Sequence, residues 1–299
     1  MAGTFATGRE VGDGEFVRRQ AVFRDAIEPG APPERYHLYV AAACPWSHRT
    51  MAVRTVKELD DRLGVSFLHP YRDDRGWRFT GGEFADEVNG FEFLAEAYRA
   101  TDPDYDDRIS VPVLWDKEAG TIVSNESTDI VVVLNAWNPD AQDLYPPERR
   151  DAIDELDGWV YEGFQNAVYR AGFARSQEAY DRAFDSVFAS MERLEAILGT
   201  RRYLTGDEIT LADWRLWPTL VRFDAVYHTH FRCNGRRIAD CPNLWGYTRD
   251  LYQQPGIAGT VAMDQIRRHY YTTHDELNPK RIVPRGPLGL DFSAPHGRG

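Results

Sequence analysis

"HLYVAAACPWSHRTMAV", His37 to Val53, is the stretch on which the reading of the chain turns. Its opening belongs to a run rich in β-formers, Arg35–Ala41, which reads as a strand. From Pro45 to Asp61 apolar residues recur at Met51, Val53, Val56 and Leu59 with charges between them, the pattern of an amphipathic helix. Pro45 suits a first helical turn because it has no N–H to leave unsatisfied. Cys44 therefore stands where a strand ends and a helix begins. A thiol placed there meets the positive end of the helix dipole and free backbone N–H groups, which favour the thiolate. His48 and Arg49 add positive charge nearby. The motif is Cys-Pro-Trp-Ser, with Ser47 where a second cysteine would stand, so such a site holds only a mixed disulfide with an external thiol. Most free cysteines are simply small buried hydrophobes. The strand–Cys–Pro–helix setting weighs toward a reactive thiol instead.

Outward from this stretch, "GVSFLHP" (Gly64–Pro70) reads as a second strand between Gly and Pro breakers. The resulting strand–helix–strand unit favours parallel pairing. "ISVPVLWD" (Ile109–Asp116) and "TIVS" (Thr121–Ser124) read as third and fourth strands around an Ala119–Gly120 turn. "NESTDIVVVLNAW" (Asn125–Trp137) opens a helix with capping residues at its head. From Asp151 to His269 helical periodicity dominates, as in "YDRAFDSVFASMERLEAILG". The expected organisation is an irregular N-terminal extension (1–34), an α/β domain (35–137) with a long polar insert (71–108), a Pro-rich linker (138–150), an all-α domain (151–269) and an extended tail (270–299).

The chain has 299 residues, 42% hydrophobic and 27% charged, an ordinary globular balance able to bury a core. The net charge of −12 argues against nucleic acid or an anionic membrane as the main partner. No apolar run reaches the roughly 18 residues that a membrane span needs, and the N-terminus lacks the apolar core of a secretory signal. Three cysteines, Cys44, Cys233 and Cys241, make no disulfide framework, and a reducing, cytoplasmic location is expected. Lysine occurs only at Lys57, Lys117 and Lys280, an arginine bias that reads as a GC-rich genome. Such a host could use a low-molecular-weight thiol other than glutathione.

Other features admit two readings. In "SVPV" (Ser110–Val113) the proline disallows a central ladder position. If Val111–Pro112 is cis, Val111 exposes its backbone N–H and C=O to an extended, peptide-like ligand; otherwise it is an edge-strand proline without function. "SNES" (Ser124–Ser127) is either plain helix capping or an anion-binding helix start, with Glu126 countering a ligand ammonium. Thr210 and Asp213 form a structural capping box. His228, His230 and Cys233 lack the usual paired zinc spacing, and no metal is expected.

Taken together, residues 35–137 resemble the thioredoxin-like domain of glutathione S-transferases, and 151–269 their helical domain. More specifically, the chain resembles the xi class, the glutathionyl-hydroquinone reductases. The motifs that carry the likeness are "CPWSHR", "GW" at Gly76–Trp77, "RISVPVLWD", "SNES", "VYRAGFA", "TLADWRLWPTLVRFDAVY" and "HYYTTHDELNPKRIVPRGP". One departure is Ser47, where the family more often has Ala. The resemblance implies Cys44 as nucleophile, with Trp77, Arg108, Val111, Glu126 and Ser127 holding the glutathionyl group. It implies Tyr169 and the pair Tyr270/Tyr271 lining an aromatic pocket, Tyr271 being the better match. It also implies glutathione or a related thiol as co-substrate, thiol conjugates of quinones as substrates, and a homodimer. The competing readings are a glutaredoxin-like or dehydroascorbate-type thiol transferase, and a non-catalytic small-molecule carrier of the same fold.

Overall fold

The computed structural model of the chain describes residues 10–12, 14–27 and 30–299. Its strands are β1 (Glu10–Gly12), β2 (Glu15–Val17), β3 (Tyr36–Val40), β4 (Gly64–Phe67), β5 (Val113–Asp116) and β6 (Thr121–Ser124). Its helices begin with α1 (Pro45–Val56), α2 (Leu94–Thr101), α3 (Ser127–Trp137), α4 (Arg150–Val160) and α5 (Ala167–Phe173). They continue with α6 (Gln177–Leu198), α7 (Leu211–Arg222), the single turn α8 (His228–His230), α9 (Pro242–Tyr252) and α10 (Met263–Thr273). Two stretches of π-helix, Tyr161–Gln165 and Phe223–Tyr227, precede α5 and α8. The fold class read from the sequence, a thioredoxin-like α/β part followed by an all-α part, is the one observed.

The contacts divide the described residues into two units. The first contains Arg19–Gln142 and Thr260–Arg281. Its sheet runs β4-β3-β5-β6, with β3 and β4 parallel and the other two pairs antiparallel. All five residues of β3 are buried, as a central strand covered on both faces requires. On one side Tyr39, Leu68, Trp77, Phe79, Tyr98, Val111, Val113 and Trp115 form a single apolar cluster. The insert is less polar than its composition suggests. Leu94, Ala97 and Tyr98, spaced three and four apart, bury one face of α2 in that cluster. Upstream of α2, the Asp86 carboxylate accepts from the Tyr39 hydroxyl and the N–H groups of Val88 and Phe91, and so anchors the loop to β3.

The second unit contains residues 10–18, Asp143–Gly259 and Ile282–Gly299. Here the reading of 1–34 as irregular needs correction: β1 and β2 pair antiparallel, Val11 opposite Phe16. Gly14, at φ 83°, makes the reversal, and the Asp13–Gly14 dipeptide is a hairpin signal in its own right. Residues 1–9, 13, 28 and 29 of that extension lie outside the described residues. The tail also differs from the extended reading. Residues 270–273 continue α10, whose buried residues are Ile266, His269, Tyr270 and Tyr271, and α10 belongs to the first unit and not to the helical one. Beyond it the chain is irregular and ends with Arg298 donating to the carbonyls of Leu198, Arg201 and Arg202.

Candidate active site

Cys44 is the N-cap residue of α1, extended at φ −77° and ψ 126°, with Pro45 at the first helical position. Its N–H donates to the Ala41 carbonyl at 2.9 Å and its carbonyl accepts from His48 N–H at 2.9 Å, so the backbone at the thiol is held on both sides. The side chain is half-buried and packs against the cluster that includes Trp77 and Val111. Its Sγ lies 3.7 Å from the Val111 carbonyl oxygen, to which the thiol donates. Ser47 is buried and turned inward, where its Oγ accepts from Ala41 N–H at 3.3 Å. The serine ties the loop around the cysteine and leaves Cys44 as the sulfur of the motif. Arg49 is buried too. Its guanidinium sits 4.5 Å from the Trp46 ring centroid and donates to Ser127 Oγ at 3.3 Å, joining α1 to the start of α3.

Val111 lies outside the β5 ladder, and the Val111–Pro112 bond is cis. Tyr98 accounts for this: its hydroxyl donates to the Ser110 carbonyl at 2.8 Å and accepts from Ser110 N–H at 3.1 Å, occupying the residue that would have continued the strand. The third strand accordingly starts at Val113 instead of Ile109. Among the described residues the Val111 N–H donates to no partner, and Val111 is itself buried beside the thiol.

Glu126 is the N-cap of α3, and its carboxylate accepts from Thr128 N–H at 3.0 Å. Capping is thus present, and the half-buried carboxylate and the Ser127 hydroxyl, 3.5 Å apart, sit together at the helix start. Asn125, a residue the sequence reading passed over, aligns this turn with Val111. Its Nδ2 donates to the Tyr98 hydroxyl at 3.0 Å and Ser110 Oγ at 3.3 Å, while its Oδ1 accepts from Phe23 N–H at 3.1 Å. Arg108 is half-buried two residues past Asp106; its N–H bonds the Asp107 carboxylate at 2.6 Å, which also pairs with Arg19 at 2.7 Å.

Trp77 follows Gly76, whose φ of 104° no other residue adopts without strain. The indole is buried and stacked by His269 of α10, with ring centroids 5.1 Å apart at 15°, and the Arg72 guanidinium lies 5.2 Å from its centroid. His269 is fixed in turn by its Nδ1, 2.7 Å from the Pro70 carbonyl. Tyr270 and Tyr271 follow on the same helix and are both buried. The first unit thus carries Cys44, Trp77, Arg108, Val111, Glu126, Ser127 and Tyr271.

Tyr169 belongs to the second unit, on α5. Its ring stands among Phe16, Phe173, Tyr227 and Phe231, at centroid distances between 5.3 and 6.5 Å. Gly172 makes room for this cluster, because a Cβ there would overlap the Phe231 ring. The Tyr169 and Tyr227 hydroxyls share a hydrogen bond at 3.4 Å, and the Arg18 guanidinium covers the Tyr169 ring at 4.7 Å. Tyr227, Arg18 and His269 were not singled out from the sequence. In the sequence, the signal that could mark this close ring packing is Gly172 within "VYRAGFA".

Cys233 and Cys241 are buried, and burial pushes both thiols up, Cys241 to about 11. Among the described residues no group of three or more His, Cys, Asp or Glu side chains is arranged to hold a metal ion. No helix among them is long and apolar enough to cross a membrane.

Comparison with known proteins identifies the family. The family model for the glutathione S-transferase N-terminal domain matches residues 43–137, and that for the C-terminal domain matches 177–250. The glutathionyl-hydroquinone reductase YqjG of Escherichia coli K12 is 48% identical, over 95% of this chain and 92% of its own. The glutathione-bound structure of YqjG superposes with a TM-score of 0.86 at 51% identity, covering 89% of this chain and 88% of that one. A xi-class glutathione S-transferase from Natrialba magadii gives 0.90 at 47% identity, covering 96% and 95%. This chain belongs to the glutathione S-transferases, in the xi class of glutathionyl-hydroquinone reductases.

Proposed function

We propose that this enzyme removes glutathione, or a related low-molecular-weight thiol, from S-glutathionyl-hydroquinones through a mixed disulfide on Cys44. The observation that carries the reading is the half-exposed Cys44 sulfur at the start of α1, with an inward-turned Ser47 in place of a second thiol. In the first step the Cys44 thiolate attacks the conjugate's sulfur. A sulfur–sulfur bond forms, the sulfur–carbon bond breaks, and its electron pair passes to the ring, which takes up a proton and leaves as hydroquinone. In the second step an external thiolate attacks the mixed disulfide, releasing oxidised glutathione and restoring Cys44.

The roles follow the chemistry of each group. The unpartnered N–H of Val111, next to the Cys44 thiol, suits a backbone contact to the peptide-like glutathionyl group. The N-terminus of α3, with Ser127 and Glu126, suits a carboxylate and an ammonium. Arg108 supplies charge for a second carboxylate, and Trp77, stacked by His269, a rigid wall. Tyr169 and Tyr271 hydrogen-bond the ring oxygens and promote proton transfer to the ring carbon. Three free cysteines support a reducing, cytoplasmic setting, and symmetry statistics favour a homodimer.

Single-turnover chemistry tests the reading. One equivalent of S-glutathionyl-hydroquinone, without free thiol, should release hydroquinone and leave one glutathionyl group on Cys44, located by peptide mass spectrometry. Hydroquinone release without an adduct, or an adduct on another residue, would overturn it.

A further inference from the structure

The second unit contains a built environment around one phenol that the reaction scheme above does not explain. Tyr169 is approached from two directions within that unit. On its face lies the Arg18 guanidinium, 4.7 Å from the ring centroid, carried by the residue that follows β2. Arg18 is held there by its Nε, which donates to Asn166 Oδ1 at 3.1 Å, and by the Phe16 ring at 5.3 Å. Asn166 in turn accepts the N–H groups of Tyr169 and Arg170 at the start of α5. At the oxygen of Tyr169 stands the hydroxyl of Tyr227, 3.4 Å away on a fully buried side chain. Each tyrosine is delivered by a π-helical stretch: Tyr161–Gln165 leads into α5, and Phe223–Tyr227 ends on Tyr227 itself. Such stretches shift side chains out of α-helical register and recur at functional sites.

We infer that Arg18 and Tyr227 are positioning residues that stabilise the Tyr169 oxygen as it gives up its proton. A cation over an aromatic face is attracted to the ring's electron density, and that density grows as a phenol becomes a phenolate. A neighbouring hydroxyl can accept from the neutral phenol and donate to the anion, so Tyr227 serves both states. The two devices act on the same developing charge, one through the ring and one at the oxygen. In the reaction, the electron pair of the broken sulfur–carbon bond is protonated at the expense of the Tyr169 hydroxyl. The proton lost by the incoming thiol, when it becomes the attacking thiolate, restores that hydroxyl. The inference rests on the role given to Tyr169 under the proposed function.

The test measures two substrates in each variant, an S-glutathionyl-hydroquinone and a simple glutathione mixed disulfide, which needs no ring protonation. Arg18→Gln and Tyr227→Phe should each slow the first substrate roughly three- to ten-fold and leave the second within about two-fold. Arg18→Lys, which keeps the charge, should recover most of the loss. In a Tyr169→Phe background, Arg18→Gln should add nothing further, since its effect runs through the hydroxyl. If Tyr169→Phe is slow but Arg18→Gln and Tyr227→Phe are as fast as wild type, the inference fails while the proposed function stands. If Tyr169→Phe itself is as fast as wild type, the role of Tyr169 fails and the inference falls with it. Equal loss on both substrates, or Lys no better than Gln, makes Arg18 a packing residue and overturns the inference.

Discussion

Two points in the molecule share one local design and differ in outcome. Cys44 precedes Pro45 at the N-cap of α1, and Cys241 precedes Pro242 at the N-cap of α9. Both cysteines are extended, both N–H groups donate three residues back, to Ala41 and Ile238, and both carbonyls accept four residues on, from His48 and Trp245. Both feel a helix N-terminus. Yet Cys44 is half-buried at the edge of an apolar cluster, with its sulfur on the Val111 carbonyl, while Cys241 is 1% exposed. The Cys241 sulfur lies 3.8 Å from Met191 Sδ and 3.5 Å from the Arg237 carbonyl, and burial pushes its thiol up to about 11. The helix dipole and the proline are therefore not sufficient. A charge that leaves water for a packed interior loses more than a helix end returns.

The sharpest way to break this comparison is to remove each sulfur. Cys44→Ser should lower turnover of S-glutathionyl-hydroquinone roughly a thousand-fold or more, and Cys241→Ser should keep it within about two-fold. Comparable losses would mean that the buried thiol takes part in the chemistry. A milder probe leaves both sulfurs in place. With its thiol at about 11, Cys241 holds very little thiolate at pH 8, so iodoacetamide on the native protein should label Cys44 at least about a hundred-fold faster. Peptide mapping before and after denaturation reads that ratio, and equal labelling in the native state would sink the burial argument.

The same desolvation acts with opposite sign on a base. His37, on the strand that leads to Cys44, is buried against Ser66 Oγ at 2.8 Å, and burial lowers its imidazolium to about 4. The folded value lies below the unfolded one, near 6.5, so this stabilisation is complete above pH 6.5 and is lost as pH falls toward 4. Urea unfolding should lose on the order of 2–3 kcal/mol through that window, and His37→Gln should lack this component of the slope. A wild-type curve that is flat between those values would contradict it. The smallest effect concerns the two tyrosines proposed to act on the substrate ring. Tyr169→Phe and Tyr271→Phe should each slow hydroquinone release roughly ten-fold, about 1.4 kcal/mol, with less effect on a simple mixed disulfide. Equal loss on both substrates would point to damaged packing.

Much of this protein is determined by local sequence. Strand β6 and the start of α1 fall where β-propensity, Pro45 and the turn at Gly120 place them, because these preferences act over a few residues. Local pattern also marks "CPWS" as a candidate site and leaves "SVPV" and "SNES" each with a binding and a structural reading, since prolines and capping residues at strand and helix ends have a recognisable spelling. Tertiary structure decided what those spellings mean. It shortened the third strand, because the Tyr98 hydroxyl from α2 claims the backbone of Ser110 across twelve residues. It gave the polar insert an anchored helix, and it took Tyr270 and Tyr271 from an extended tail into α10, where His269 stacks on Trp77 almost two hundred residues away. It separated Cys44 from Cys241, which share a following proline and an N-cap position. Propensity and capping are short-range and can be read along the chain, whereas desolvation depends on every residue packed around a group, wherever in the sequence it comes from.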